Sequence, residues 1–131
     1  MQVSRAFAAD PVSVAEARKF VVSAASDLGI ADLDWELRQI VSELATNAVL
    51  HARTAFTLTI TTTETLVRVE MRDASPRRVQ SRSYDADAST GRGMQLIQTL
   101  SRAWGVETDG DGKTVWAELD VDSASSVDVN S

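Results

Sequence analysis

The apolar residues of this chain run first in steps of three and four and then in steps of two, and that change limits which layers it can build. From Val14 through Ala17, Val21, Ala24 and Leu28 the repeat is helical, with Ser13 and Glu16 spaced as a capping box before it and Gly29 as its stop. A second helical run puts Leu37, Ile40, Val41, Leu44, Ala45 and Ala48 on one face, with Asp34 as its expected cap and fraying expected from His51 to Arg53. Then Phe56, Leu58 and Ile60 alternate with Thr57, Thr59 and Thr61, and Val67, Val69 and Met71 with Arg68, Glu70 and Arg72. These are two predicted strands joined near Glu64. Trp104 to Thr108, the turn Asp109-Gly110-Asp111-Gly112, and Val115, Ala117 and Leu119 alternating with Thr114, Trp116 and Glu118 predict a closing hairpin.

Between Asp73 and Gly91 lies a run rich in Ser, Arg, Asp and Ala that is too long for an ordinary connector, so residues 74–90 are expected to be a lid or a disordered segment. A short helix is predicted from Met94 to about Arg102, with Leu96, Ile97 and Leu100 facing inward. Residues 1–10 read as an N-terminal segment, 11–120 as the domain, and 121–131, Ser- and Asp-rich with no core pattern, as a disordered tail. Helix, helix, strand, strand, lid, helix, strand, strand implies an α+β two-layer sandwich, with helices on one face of a mixed, mainly antiparallel sheet.

A chain of 131 residues suits one domain with a sizeable core. It has no cysteine, which excludes disulfides, thiolate nucleophiles and zinc–thiolate sites. Thirteen basic against nineteen acidic residues give a formal charge of −6, a field that repels nucleic acid and anionic membrane. No stretch approaches the roughly 18 apolar residues of a membrane span, and a soluble cytoplasmic protein is expected. Arg68, Arg72, Arg77, Arg78 and Arg82 could form a basic rim for an acidic partner or serve as ordinary solvated charge.

The chemistry concentrates in E-L-A-T-N-A-V-L-H, from Glu43 to His51. At about 100° per residue, Glu43 and Asn47 fall about 40° apart on one flank of the apolar stripe, where two polar groups can line a pocket wall. His51 is expected to continue that row. Taken alone, the spacing is that of two solvated boundary residues as much as of a site and proves nothing.

Three further segments stand in a fixed order with this one: R-D-A-S-P from Arg72, T-G-R-G-M from Thr90, and G-K-T-V-W-A-E-L from Gly112. From Pro11 to Asp120 the sequence resembles the GHKL superfamily of ATP-binding domains, which have the Bergerat fold. Within it, the sequence is similar to the bacterial anti-sigma-factor serine/threonine kinases common in actinobacteria. The departure from the superfamily is Ala74-Ser75-Pro76 after the aspartate, where a glycine-rich string is usual.

The resemblance implies that Asn47 coordinates the Mg²⁺ bridging the nucleotide phosphates, an amide oxygen suiting that hard cation. It implies that Glu43 is the general base, and that Asp73 accepts a hydrogen bond from the adenine amino group, with Ser75 beside it. His51 is either a phosphate contact or a helix-end histidine bonded to backbone. Gly91-Arg92-Gly93, leading into the helix at Met94, would close over the triphosphate with free N–H groups. Thr114 is either near adenine, through its hydroxyl or a water, or an ordinary strand threonine. The implied activity is ATP- and Mg²⁺-dependent phosphorylation of an antagonist protein by a kinase that also sequesters a sigma factor. A homodimer paired through the sheet and first helix is a further expectation, with no direct nucleic-acid or membrane contact. The alternative is an ATP-responsive binding module that captures its partner without phosphotransfer.

Overall fold

The computed structural model describes residues 1–74 and 95–121. In chain order these form β1 (Gln2–Phe7), α1 (Val12–Asp27), a 3-10 turn (Ala31–Leu33), α2 (Asp34–Asn47), a π turn (Ala48–Ala52), β2 (Phe56–Thr62) and β3 (Leu66–Asp73). A helical stretch at 95–100 follows, then β4 (Ala103–Asp109) and β5 (Gly112–Asp120). The five strands form one sheet in the order β1-β2-β3-β5-β4, every described pair antiparallel. The two-layer α+β architecture is as expected, and among the described residues the sheet is antiparallel, with no parallel pair of the mixed kind expected.

The strand periods set the faces. Leu58, Ile60, Val67, Val69, Met71, Val115, Ala117 and Leu119 all point to one side, where they share a core with Val21, Leu37, Ile40, Val41 and Leu44 of the helices. Ile97 of the 95–100 helix is also buried in it, and Leu100 packs against its edge. The opposite face carries the alternate residues, Thr57 and Thr59 on β2, Arg68, Glu70 and Arg72 on β3, Thr114 and Trp116 on β5. Arg68 and Arg72 are ion-paired there, with Glu70 and Glu118 and with Asp109, so they are not part of an unpaired basic rim. Arg77, Arg78 and Arg82 lie outside the described residues.

Helix α1 ends as its glycine requires. Gly29 has φ +76, the left-handed region, and the Ile30 and Gly29 N–H groups donate back to Ala25 and Ser26 carbonyls, closing a Schellman motif. Its start differs from the capping-box expectation. The helix begins at Val12, whose N–H donates to Asp10 Oδ1 at 2.9 Å, while the Ser13 hydroxyl donates to the Ala8 carbonyl. Pro11, with φ −53, supplies a backbone already set for the first turn. Asp34 likewise does not cap α2; its carboxylate pairs with Arg38 one turn on, at 3.3 Å, and the helix is entered through the 3-10 turn.

Strand β1 lies in the segment set apart as N-terminal by the sequence. It pairs with β2 along its whole length, and Phe7 anchors it, stacked on Phe56 at 5.2 Å and edge-on to Phe20 at 5.9 Å. At the other end Val121 also belongs to the packed domain, its N–H bonded to the Thr65 carbonyl. Residues 122–131 lie outside the described residues.

The β4–β5 turn is pinned by one carboxylate. Asp109 Oδ1 accepts from Arg72 on β3 at 3.1 Å and from the N–H groups of Asp111 and Gly112. The Arg72 hydrogen bond, helped by the Asp111 N–H, holds the Asp109 carboxyl below its ordinary value. The stabilisation is therefore complete above the ordinary carboxylate value of about 3.8 and is lost as pH falls through the lowered one.

Two outcomes are expected. Phe7→Ala should cost about 3–5 kcal/mol and speed amide exchange across residues 2–6, read by denaturant titration with hydrogen exchange; unchanged exchange would mean that the ladder alone holds the edge. Arg72→Met should lower the thermal midpoint at neutral pH, with the gap from the parent closing as pH drops below about 3.8, whereas a gap that persists in acid would show that the turn does not depend on the carboxylate.

Candidate functional site

The apolar stripe of α2 is fully turned into the core, with Leu37, Ile40, Val41 and Leu44 at most 2% exposed. That packing leaves Glu43 and Asn47 half-buried on the flank, one helical turn apart and therefore adjacent. Among the described residues no hydrogen bond or ion pair engages either side chain. Both are oxygen-bearing groups held by a rigid helix and open to a ligand.

Immediately after Asn47 the helix does not fray but widens. The Arg53 N–H donates to the Ala48 carbonyl at 2.8 Å, the i→i+5 bond of a π turn, and Arg53 ends it in the left-handed region at φ 58. Because a π turn holds more residues than an α turn, His51 does not simply continue the Glu43–Asn47 row. It lies exposed on the widened turn.

Only residues 53–55 separate this turn from β2. Phe56, the first residue of β2, pairs with Asp73, the last of β3, and the Ala74 N–H donates to Thr54 Oγ1 at 3.3 Å. The C-terminal end of the α2 segment and Asp73 are thus brought to the same end of the sheet, although 26 positions separate Asn47 and Asp73 in sequence.

Asp73 is 2% exposed, a buried carboxylate on the helix-facing side of the sheet. Its cross-strand partner is Lys113, whose Nζ lies 3.6 Å from Oδ2 with a side chain only 12% exposed. The close approach of the two strands is possible because residue 112 is glycine: a Cβ there would collide with the Asp73 carbonyl oxygen. Thr114 sits elsewhere. Being one residue out of phase with Lys113, it faces the opposite side of the sheet, where its hydroxyl accepts from Arg72 at 3.3 Å. Lys113, not singled out from the sequence, is the β5 residue that stands beside Asp73. The signal for it was present, since Lys113 is in phase with Val115, Ala117 and Leu119. Ser75, Gly91, Arg92, Gly93 and Met94 lie outside the described residues, as does all but Ala74 of the 74–90 segment expected to be a lid or disordered.

The site therefore has two parts: a carboxylate and an amide on one helix flank, and a buried acceptor–donor pair at the sheet end. A comparison with protein-family models matches residues 7–119 to the histidine kinase-like ATPase domain. A comparison with curated proteins finds no match. Domains of this family bind ATP, typically with Mg²⁺, and the donor set suits that ligand. No group of three or more His, Cys, Asp or Glu side chains that could hold a metal occurs among the described residues. The Asn47 amide oxygen is a hard donor of the kind that suits such a cation. The buried Asp73 carboxylate suits an amino donor such as that of adenine. The strand order, the helix flank and the match over most of the chain lead to one conclusion: this protein belongs to the histidine kinase-like ATPase domain family, of the GHKL superfamily.

Proposed function

We propose that this domain is an ATP-dependent serine/threonine protein kinase acting as an anti-sigma factor of the actinobacterial kind, phosphorylating an antagonist protein to control its hold on a sigma factor. The observation that carries this reading is the Glu43–Asn47 pair, a carboxylate one helical turn from a magnesium-suited amide, at the sheet end that holds Asp73. Bound ATP and Mg²⁺ would supply the phosphoryl group and neutralise its charge. Asn47 would hold the metal, Asp73 the adenine, and Glu43 would accept the proton of the attacking serine hydroxyl. No covalent intermediate on the enzyme is needed, in keeping with a chain that has no cysteine.

The motif strings E-L-A-T-N-A-V-L-H-A and G-K-T-V-W-A-E-L support the kinase-like branch. No helix among the described residues is long and apolar enough to cross a membrane, which agrees with a role beside a sigma factor in the cytoplasm. Pairing of two copies through the sheet and first helix belongs to the same proposal.

Incubation with labelled ATP and candidate antagonists should yield phosphoserine or phosphothreonine on the antagonist. Glu43→Ala should lower that rate about 10²–10⁴-fold while ATP affinity, read by calorimetry, changes little. Phosphorylation undiminished in Glu43→Ala would remove the base from the mechanism. No phosphorylation by the parent, with ATP still tightening partner capture in both proteins, would favour the binding-module alternative.

A further inference from the structure

Lys113 is an unusual residue to find where it is. Ammonium groups are seldom buried unless paired, and a strut between β3 and β5 at this point could be made by two apolar side chains at no loss of stability. The pairing ladder places Lys113 opposite Asp73, the helix-facing phase of β5 turns it inward, and the carboxylate of Asp109 fixes the turn two residues before it. The result is an acceptor and a donor side by side, 3.6 Å apart, at the end of the sheet.

We propose that Lys113 is a specificity-determining residue of the nucleotide site, donating to N1 of the adenine ring while Asp73 accepts from the 6-amino group. This rests on the ATP reading above and adds to it the second of two contacts. The edge of adenine presents a donor, the 6-amino group, next to an acceptor, N1; Asp73 and Lys113 present the complement. An ammonium carries three N–H donors and serves several acceptors at once, so its pairing with Asp73 is compatible with a ligand contact. Guanine in the same orientation would set a carbonyl against the carboxylate and an N–H against the ammonium. Both contacts would be repulsive, and a site built from buried polar groups rejects such a mismatch strongly. Asp73 alone supplies half of that discrimination.

The test is calorimetric titration of the parent, Lys113→Met and Lys113→Arg with ATP, 1-deaza-ATP and GTP in Mg²⁺. The deaza analogue replaces N1 by C–H and leaves the 6-amino group in place. The parent should prefer ATP to 1-deaza-ATP on the order of tenfold or more, the size of a charged hydrogen bond lost. Lys113→Met should bind the two alike and discriminate less against GTP, and Lys113→Arg, which keeps a charged donor, should retain part of the preference. Merely structural damage would lower both affinities by one factor and leave their ratio intact, which would overturn the proposal. So would a parent that binds ATP and 1-deaza-ATP equally, a result that needs no variant to fold and leaves the ATP site standing. A parent that binds no nucleotide would instead remove the ATP reading itself.

Discussion

Burial of the α2 stripe against β2 and β3 is the constraint on which the site depends. Each of Leu37, Ile40, Val41 and Leu44 contributes about 1.5–3 kcal/mol on burial, and all are almost wholly covered. The ion pairs on the same layer, Lys19–Glu16 and Asp34–Arg38, are exposed pairs worth at most about 1 kcal/mol each. Packing therefore decides the rotation of the helix about its axis, and that rotation decides that Glu43 and Asn47 come to rest on the flank. Their placement follows from their neighbours more than from any bond of their own.

The outer face of the sheet is organised differently, around Arg68. Its guanidinium donates to Glu70 at 2.8 Å and to Glu118 at 2.9 Å, and lies over the Trp116 ring at 4.4 Å. Partial burial works against its charge, but the two glutamates outweigh that effect and raise its pKa. Through Glu118 the fork ties β3 to β5, while at the end of that ladder Arg72 reaches Thr114 on β5 and Asp109 at the end of β4. Both ties act on the strand pair that carries Asp73 and Lys113.

Much of this was legible in the sequence because it rests on period. The two helices, the strands from Phe56 to Met71 and the closing hairpin each follow an unbroken apolar repeat. The edge strand β1 was not legible because only Phe7 of its six residues is buried; the inward position before it holds Arg5, whose guanidinium folds over Phe7. The π turn has no sequence signature in A-V-L-H-A, since one extra residue per turn is a matter of hydrogen bonding rather than composition. Of the candidate site, helical spacing gives the shared flank of Glu43 and Asn47, while Asp73 is singled out by the family resemblance, its inward phase following Val67, Val69 and Met71. Lys113 is legible only through phase, since it alternates inward with Val115, Ala117 and Leu119 while Thr114 faces the other side. The caps failed for a local reason: Asp10 and Pro11 together make a better start than Ser13 can.

The shortness of the link between the π turn and β2 has a mechanical consequence. An axial shift of Asn47 has only residues 53–55 in which to be absorbed before it reaches Phe56, which is hydrogen-bonded to the strand carrying Asp73, and the link is itself stitched to β3 by Thr54. The helix flank and the sheet end are thus one stiff body rather than two jaws. A displacement of either part would therefore carry the other with it.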